Sequence, residues 1–428
     1  MRTREKAASA ITLRIGESQT ATVQNVRFEK AVTNSYLDAR MDGRLSSDVR
    51  TAIAVGCLVI FLPSVTQPQT TTETLLSPQR RISAPFERVT ALRELRDGNV
   101  LVVDANAQSV FLADFEKDAV KQLGRNGAGP GEYFFPMRLF SLGGDSIGIE
   151  DGGNSRILIL NAKMKFTSVL NSIGLRVSKE RASGELPRTS DNQGRFYASG
   201  YSLMAPVETQ PADSAPIERW KVGTRTRDTV AYFPLPPRSE RILLPGQGSR
   251  AFETTPQWTV GSEGQIAIIR PNPYSVELIG GNGERVRGAP IRYRKIRITD
   301  NDKKRWIESE SRPRPVLIQR PGKPGATAGL RPAKPFEPIK WPEYLPPFLE
   351  SALQFAPDGL LWIQRATPVG EGQLFDVFDR RGALVKHVAT PEGTRLVGLG
   401  VSYLYLARTD EDQQEFLERY STAVERKQ

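Results

Sequence analysis

From Arg96 to Ala162 the chain alternates between two textures. Short apolar, β-branched runs at 100–103 and 109–113 are each preceded by a polar turn cluster, at 96–99 and 104–107. After a Gly/Pro-rich loop the pattern returns. Gly144 and Asp145 lead into 147–149, and the cluster 151–154 leads into 156–160. Gly, Asn and Asp tolerate positive φ or hydrogen-bond their own backbone, so such clusters between apolar runs are tight turns joining strands. One small β unit is thus written twice.

Four more units follow. The third has its turn at 190–194, a strand at 195–199 and partners at 217–223 and 229–233. The fourth places strands at 258–260, 265–269 and 274–279. The fifth has 352–355, 360–363, 374–379 and 383–389. The sixth has 394–399, 403–408 and 415–421. The turn anchors Gly98, Asp145, Gly194, Gly264, Gly359 and Gly400 are separated by 47, 49, 70, 95 and 41 residues. A period of roughly 40 to 50 residues with several strands per unit predicts propeller blades, and the two long gaps carry insertions. The sixth unit shows three strands before the chain ends. An early strand near 82–90 is expected to complete it and close the ring, which removes the open edge. The fold class is all-β: a six-bladed β-propeller over 80–428.

The larger insertion is 291–350. It opens with Arg292, Arg294, Lys295 and Arg297. Thr299 with Asp302 three residues on makes a capping box, predicting a helix over 300–309 with Trp306 and Ile307 on one face. Residues 313–347, rich in Pro, Gly and Lys, read as an extended strap. Trp306, Ile307, Trp341 and Phe348 are apolar anchors expected to pack the segment along the ring, with Arg292, Arg294 and Arg297 nearest any anionic partner.

Ahead of the repeats, residues 1–40 are polar and aperiodic, and read as a disordered or non-native extension. Met41 offers another start. Residues 41–50 would be the n-region and 51–65 the apolar h-region of a signal peptide, a run too short for a comfortable membrane span. A Pro/Thr/Gln-rich tether follows at 63–74. Residues 41–79 are therefore expected to be a signal peptide or membrane anchor plus tether, and the protein extracytoplasmic: periplasmic or membrane-anchored, in a bacterium. Ala54-Val55-Gly56-Cys57 has the look of a lipobox, but the apolar run continues past Cys57.

Composition narrows the chemistry. The 428 residues are 39% hydrophobic and 25% charged, with a formal net charge of +11. The balance suits an acidic partner, although no long Lys/Arg run stands out. A single cysteine, Cys57, precludes an intramolecular disulfide. A single histidine, His387, set in an alternating strand, argues against a zinc site or a Ser-His-Asp triad. The turn aspartates read as caps for their own backbone. The loop 124–131 is glycine-rich, but lacks the Lys-Ser/Thr of a phosphate loop and precedes no helix, so it reads as a turn between blades. No catalytic residue, metal ligand or cofactor is expected.

The loop Gly124-Arg125-Asn126-Gly127-Ala128-Gly129-Pro130-Gly131-Glu132-Tyr133 resembles the GxGPGEF loop of bacterial six-bladed β-propeller proteins of the NHL/TolB-like kind, an exported family of mostly unknown function. Asp151-Gly152-Gly153-Asn154-Ser155-Arg156-Ile157 resembles the D-x-x-N-x-R-I core of NHL repeats. The stretch 357–363 followed by 375–379 is similar to the tail of the same family. The resemblance implies the fold, and the protein is expected to act as an exported ligand- or protein-binding scaffold without catalysis. Two alternatives share the fold: a metal-dependent lactonase-like hydrolase, with carboxylates and an Asn converging in the channel, and an NHL-like RNA binder, against which export argues. The candidate binding residues are Arg156, Arg292, Arg294 and Arg297. The expected partner is a protein or small ligand of anionic character, not a nucleic acid, with a membrane tether through the N-terminal apolar segment. What lines the central channel discriminates among these readings.

Overall fold

The computed structural model describes residues 70–171, 187–200, 211–221, 226–238, 254–310, 340–349 and 353–422, residues 224, 251 and 252, and short strands at 11–15, 19–23, 176–178, 181–183, 314–319 and 326–331. The chain divides into 1–69 and 70–428. In the first unit Ile11–Ile15 pairs antiparallel with Gln19–Val23. The signal-like segment 41–65 lies outside the described residues.

The second unit is a six-bladed β-propeller. The first blade is Val89–Glu94, Val100–Asp104, Ser109–Asp114 and Ala119–Gln122. The second is Pro136–Ser141, Ile147–Asp151, Arg156–Leu160 and Phe166–Asn171. The third is Thr189–Ser190, Arg195–Ser199, Ser214–Lys221 and Asp228–Pro234. The fourth is Gln257–Val260, Ile266–Pro271, Tyr274–Ile279 and Arg285–Arg287. The fifth is Leu353–Phe355, Leu361–Gln364, Leu374–Phe378 and Leu384–Ala389. The sixth is Thr394–Leu399, Tyr403–Thr409 and Glu415–Ser421. Each is an antiparallel meander in chain order.

All six anchor residues fall in the hairpin between a blade's first and second strands. Gly194 shows why glycine is needed there. Its φ is +71°, and a Cβ would lie 2.5 Å from the Leu142 carbonyl oxygen of the preceding blade. Both the left-handed backbone and the close approach exclude a side chain.

Ring closure comes slightly earlier than the expected 82–90. Arg80–Arg81 pairs with the last strand, Ile82 donates to the Leu417 carbonyl at 2.9 Å, and Phe86 bridges to Glu415. Val89 already belongs to the first blade. Thr72–Thr74, read from sequence as tether, runs parallel to Leu384–Ala389 and covers the outer edge of the fifth blade.

The core lies between blades. In the central strand Val100–Asp104, Leu101 joins a cluster with Ile149 and Leu158 of the second blade. Val100 and Val102 join Tyr405 and Leu417 of the sixth. Side chains alternate across a sheet, and here both faces meet a neighbour. That is why these strands read as unbroken apolar runs rather than as a period of two.

The helix of the insertion is Asp300–Glu310. Its capping box is formed: the Asp302 amide donates to Thr299 Oγ1 at 3.2 Å and the Thr299 amide to Asp302 Oδ2 at 2.8 Å. The expected strap is partly paired, with Arg314–Gln319 antiparallel to Ala326–Arg331.

Candidate functional site

The first strands of all six blades line one open channel of about 2910 Å³. Every blade's chain enters at the same end of this channel and turns back at its hairpin. The four-to-five connection, which is the insertion, therefore leaves on the entry face, and it roofs that mouth. Asp302, Arg305 and Trp306, at helical spacings of three and four, share the helix face that lines the channel.

The roof is anchored by aromatic packing. Trp306 lies 5.5 Å from Trp341 and 6.3 Å from Phe252, and Phe252 lies 6.1 Å from Trp341, centroid to centroid. Phe348 is fully buried against Tyr274. Asp302 is buried and accepts the Val369 amide of the fifth blade at 3.2 Å. Its carboxyl is held below the usual range by the Thr299 and Val369 hydrogen bonds, which outweigh the opposing effect of burial.

The walls carry arginines on four consecutive blades, and each reaches towards the next. Arg395 of the sixth blade donates to the Val89 carbonyl of the first at 2.8 Å. Arg93 of the first donates to Ser141 Oγ of the second at 3.3 Å. Arg138 of the second donates to the Pro187 carbonyl ahead of the third at 3.2 Å. Arg188, next to the inner strand of the third, stacks 5.0 Å from the Trp258 ring of the fourth. Burial pulls the guanidiniums of Arg93 and Arg395 below their usual range, while Asp145 and Glu415 respectively oppose it.

The fourth and fifth blades contribute no ionic group from their inner strands. Gln257, Thr259, Gln354 and Phe355 line that side.

Two carboxylates sit close to the arginines. Glu415, 2% exposed, accepts the Val89 amide and Arg88 Nη1 at 2.8 Å each and Arg395 Nη2 at 2.8 and 2.9 Å. One buried anion thus serves two cations. Glu150, 1% exposed, lies 3.5 Å from Arg138 Nη1. Its Oε2 is buried without a hydrogen-bond partner among the described residues. Burial pushes the Glu150 carboxyl up, with Arg138 opposing.

The arginines expected from sequence lie elsewhere. Arg156 is engaged in holding the 124–133 loop: it donates to Asp151 Oδ2 at 2.7 Å and to the carbonyls of Ala128, Gly129 and Glu132 at 2.8, 3.3 and 2.8 Å. Arg292, Arg294 and Arg297 are exposed and do not line the channel, and Arg297 pairs with Glu343 at 2.8 Å. Among the insertion's described arginines, the one that lines the channel is Arg305. His387 hydrogen-bonds Asp376 at 2.8 Å, and Asp376 also accepts Tyr274 Oη at 2.8 Å and faces Arg365, a polar knot within the sheets rather than in the channel. Among the described residues no three His, Cys, Asp or Glu side chains gather in a set that would hold a metal ion.

A signal for the channel arginines was present in the sequence. Arg93, Arg138, Arg188 and Arg395 stand five, seven, six and five residues ahead of the anchors Gly98, Asp145, Gly194 and Gly400. Aligning the units on their hairpins exposes this recurrence.

No family model and no curated protein matches the sequence. Among solved structures the chain is similar to regucalcin, a calcium-binding protein from Agrobacterium tumefaciens, at 12% identity over 81% of this chain and 95% of that one, TM-score 0.37. It is similar to a member of the DUF4221 family from Bacteroides vulgatus at 9% identity over 81% and 98%, TM-score 0.42. A gluconolactonase from Xanthomonas campestris gives 12% identity over 81% and 96%, TM-score 0.38. These likenesses concern the fold alone, and the reading of the site rests on its own residues.

Proposed function

We propose that this propeller is an exported binding module whose ligand, a small molecule, sits in the central channel beneath the insertion. The observation that carries the reading is the roof: a capped helix turned inward over an open cavity of about 2910 Å³ whose walls hold hydrogen-bond donors, amides and aromatic faces. Ligand sites are concave and mostly apolar with a few convergent polar groups, and in ring folds they sit on the axis. The export half rests on the signal-like segment 41–65; a full-length product in the cytoplasm of the native host overturns it.

The hydrolase alternative needs carboxylates around one ion. The channel instead places Glu150 beside Arg138 on the second blade and Glu94 at the end of the first blade's inner strand, where it accepts the Val401 amide, a spread of acids that favours binding over metal-assisted chemistry.

Thermal unfolding of the full chain tests the reading against a panel of neutral, cationic and anionic small molecules. A ligand at about a hundred times its Kd adds roughly 2.7 kcal/mol. That gain should vanish in Thr259→Trp, which fills the channel from the fourth blade. Stabilisation that survives Thr259→Trp, or its absence across the whole panel, overturns the channel as the site. Lactone hydrolysis switched on by Ca²⁺ would favour the hydrolase.

A further inference from the structure

We infer that residues 291–298 dock the propeller on an anionic lipid surface, with Arg292, Arg294, Lys295 and Arg297 against the headgroups. The inference is independent of the channel and starts from where the chain keeps its charge. The insertion 291–350 holds fourteen Lys and Arg against seven Asp and Glu, and so supplies +7 of the chain's net +11.

That surplus is sorted by side. Residues 291–298 run extended across the fourth and fifth blades. At one end the Ile291 amide donates to the Tyr274 carbonyl at 2.8 Å. At the other, Arg297 bridges to Tyr344 and the Ile298 amide donates to the Glu343 carbonyl at 3.0 Å. Tyr293 packs edge-on to Tyr274 of the fourth blade, and the Arg365 guanidinium of the fifth lies 5.2 Å from its ring. Ile291 and Tyr293 pack against the core, and Ile296 and Ile298 are half-buried. Arg292, Arg294, Lys295 and Arg297 are all exposed. Of the four, only Arg297 pairs with a carboxylate among the described residues, Glu343 at 2.8 Å. Every apolar side chain of the ribbon therefore turns in and every cation turns out. The outer strand of the fourth blade continues the surplus. Arg270, Arg285 and Arg287 share the one carboxylate of Glu277 at 2.9, 3.5 and 3.3 Å, with exposed Glu284 opposing them.

This sorting selects the partner. A protein interface has an apolar, charge-poor centre built on aromatic anchors, and here the apolar side chains are already turned inward. A bilayer surface asks for charge alone. A nucleic acid does too, but this chain also carries the signal-like apolar run 51–65. Past that run the chain joins the fifth blade, where Thr72–Thr74 lies along Leu384–Ala389. The ribbon touches the same blade through Tyr293 and Arg365. A membrane-directed apolar run and a basic patch in one chain are the paired signals that hold a protein at a membrane.

Co-sedimentation of the full chain with vesicles tests the inference. One set is phosphatidylcholine alone, and the other contains about 30% phosphatidylglycerol, whose surface gives each exposed cation roughly a fivefold gain in affinity. The neutral set reads the contribution of the apolar run. The expected preference for the anionic set is at least about a hundredfold, shrinking as salt rises. Arg292→Gln, Arg294→Gln and Lys295→Gln together should cut that preference by on the order of a hundredfold. The thermal midpoint should stay where it is, because all three side chains are exposed. Lys121→Gln, Lys163→Gln and Lys165→Gln together remove the same charge from exposed positions on the first two blades and should leave the preference in place. Equal binding to the two vesicle sets, or equal losses in the two triple variants, overturns the inference. So does capture by polyglutamate or duplex DNA with the vesicles left untouched, which would make the partner an acidic protein or a nucleic acid.

Discussion

The two mouths of the channel are closed by different means. On the hairpin face the repeat closes itself. The Asn192 amide donates to the Ser262 carbonyl at 2.9 Å, Ser141 Oγ to Asn192 Oδ1 at 2.8 Å, and the Val401 amide to Glu94 at 2.6 Å, so successive hairpins are joined by short polar links. On the entry face Arg395 and Glu415 of the sixth blade reach Val89 of the first, and Arg138 of the second reaches the Pro187 carbonyl ahead of the third. There the mouth is covered by residues that belong to no blade, held by three aromatic rings and one buried carboxylate. The hairpin face is built from elements the fold cannot do without. The entry face is built from surplus chain, so its chemistry can vary while the ring stays intact, which is where a binding site belongs.

Changes in the ring should therefore cost stability, and changes in the roof should cost binding. The largest loss is expected at the ring's seam. Glu415→Ala removes the buried anion that holds Arg88, Arg395 and the Val89 amide across the junction of last and first blades. Leaving Arg395 uncompensated in a buried site should cost about 3–5 kcal/mol, read by urea unfolding. A loss below ~1 kcal/mol would mean the seam is closed by backbone pairing alone.

Next in size is the hairpin face itself. Gly194→Ala puts a methyl 2.5 Å from a backbone oxygen at φ +71° and should cost about 2–3 kcal/mol. Gly283→Ala, at φ +86° with nothing within 4 Å, should cost about 1 kcal/mol from the backbone alone. Equal losses would show that crowding between neighbouring hairpins contributes nothing.

On the roof, Trp306→Ala removes a half-buried ring from the Phe252–Trp341 stack. The expected loss is about 1–2 kcal/mol, confined to the insertion. Hydrogen exchange should show the helix losing protection while Val100–Asp104 and Tyr403–Thr409 keep theirs. Loss of protection in those central strands would mean roof and ring unfold as one unit.

How much was legible in the sequence follows the same division. The blades were readable because their signals are local. A turn at φ > 0 asks for glycine, and Gly98, Gly194, Gly264 and Gly359 all sit at φ between +71° and +86°. The capping box fixed the helix to within one residue for the same reason. The channel was not read, because an arginine inside a strand, such as Arg93 or Arg138, looks like any solvated charge until the ring brings the inner strands together. Arg292, Arg294 and Arg297 stood out as a cluster along the chain, yet that cluster faces solvent. Arg156 stood out through a motif whose role is to hold a loop. The inner strand of the second blade, Pro136–Ser141, was passed over altogether. Its register shifts between Pro136 and Leu139, and the apolar alternation is broken there by Met137 and Arg138.

The smallest effect concerns Glu150 on the channel wall. Glu150 is buried, and its Oε2 makes no hydrogen bond among the described residues but lies 3.5 Å from Arg138 Nη1. Burial raises its folded-state pKa above the unfolded value, so folding favours the protonated form. The stabilisation tied to that proton is complete below the unfolded pKa of an ordinary glutamate. It is lost as pH rises through the folded pKa, because above it the native state must hold a desolvated charge. Glu150→Gln keeps the shape and removes the ionisation. The variant should match the parent at the acid end and become the more stable of the two as pH rises through that window, read as a widening gap in denaturation midpoints. A gap that widens towards acid pH instead would mean that Arg138 outweighs burial and that Glu150 is held ionised as its partner. In that case one of the four wall arginines is already neutralised.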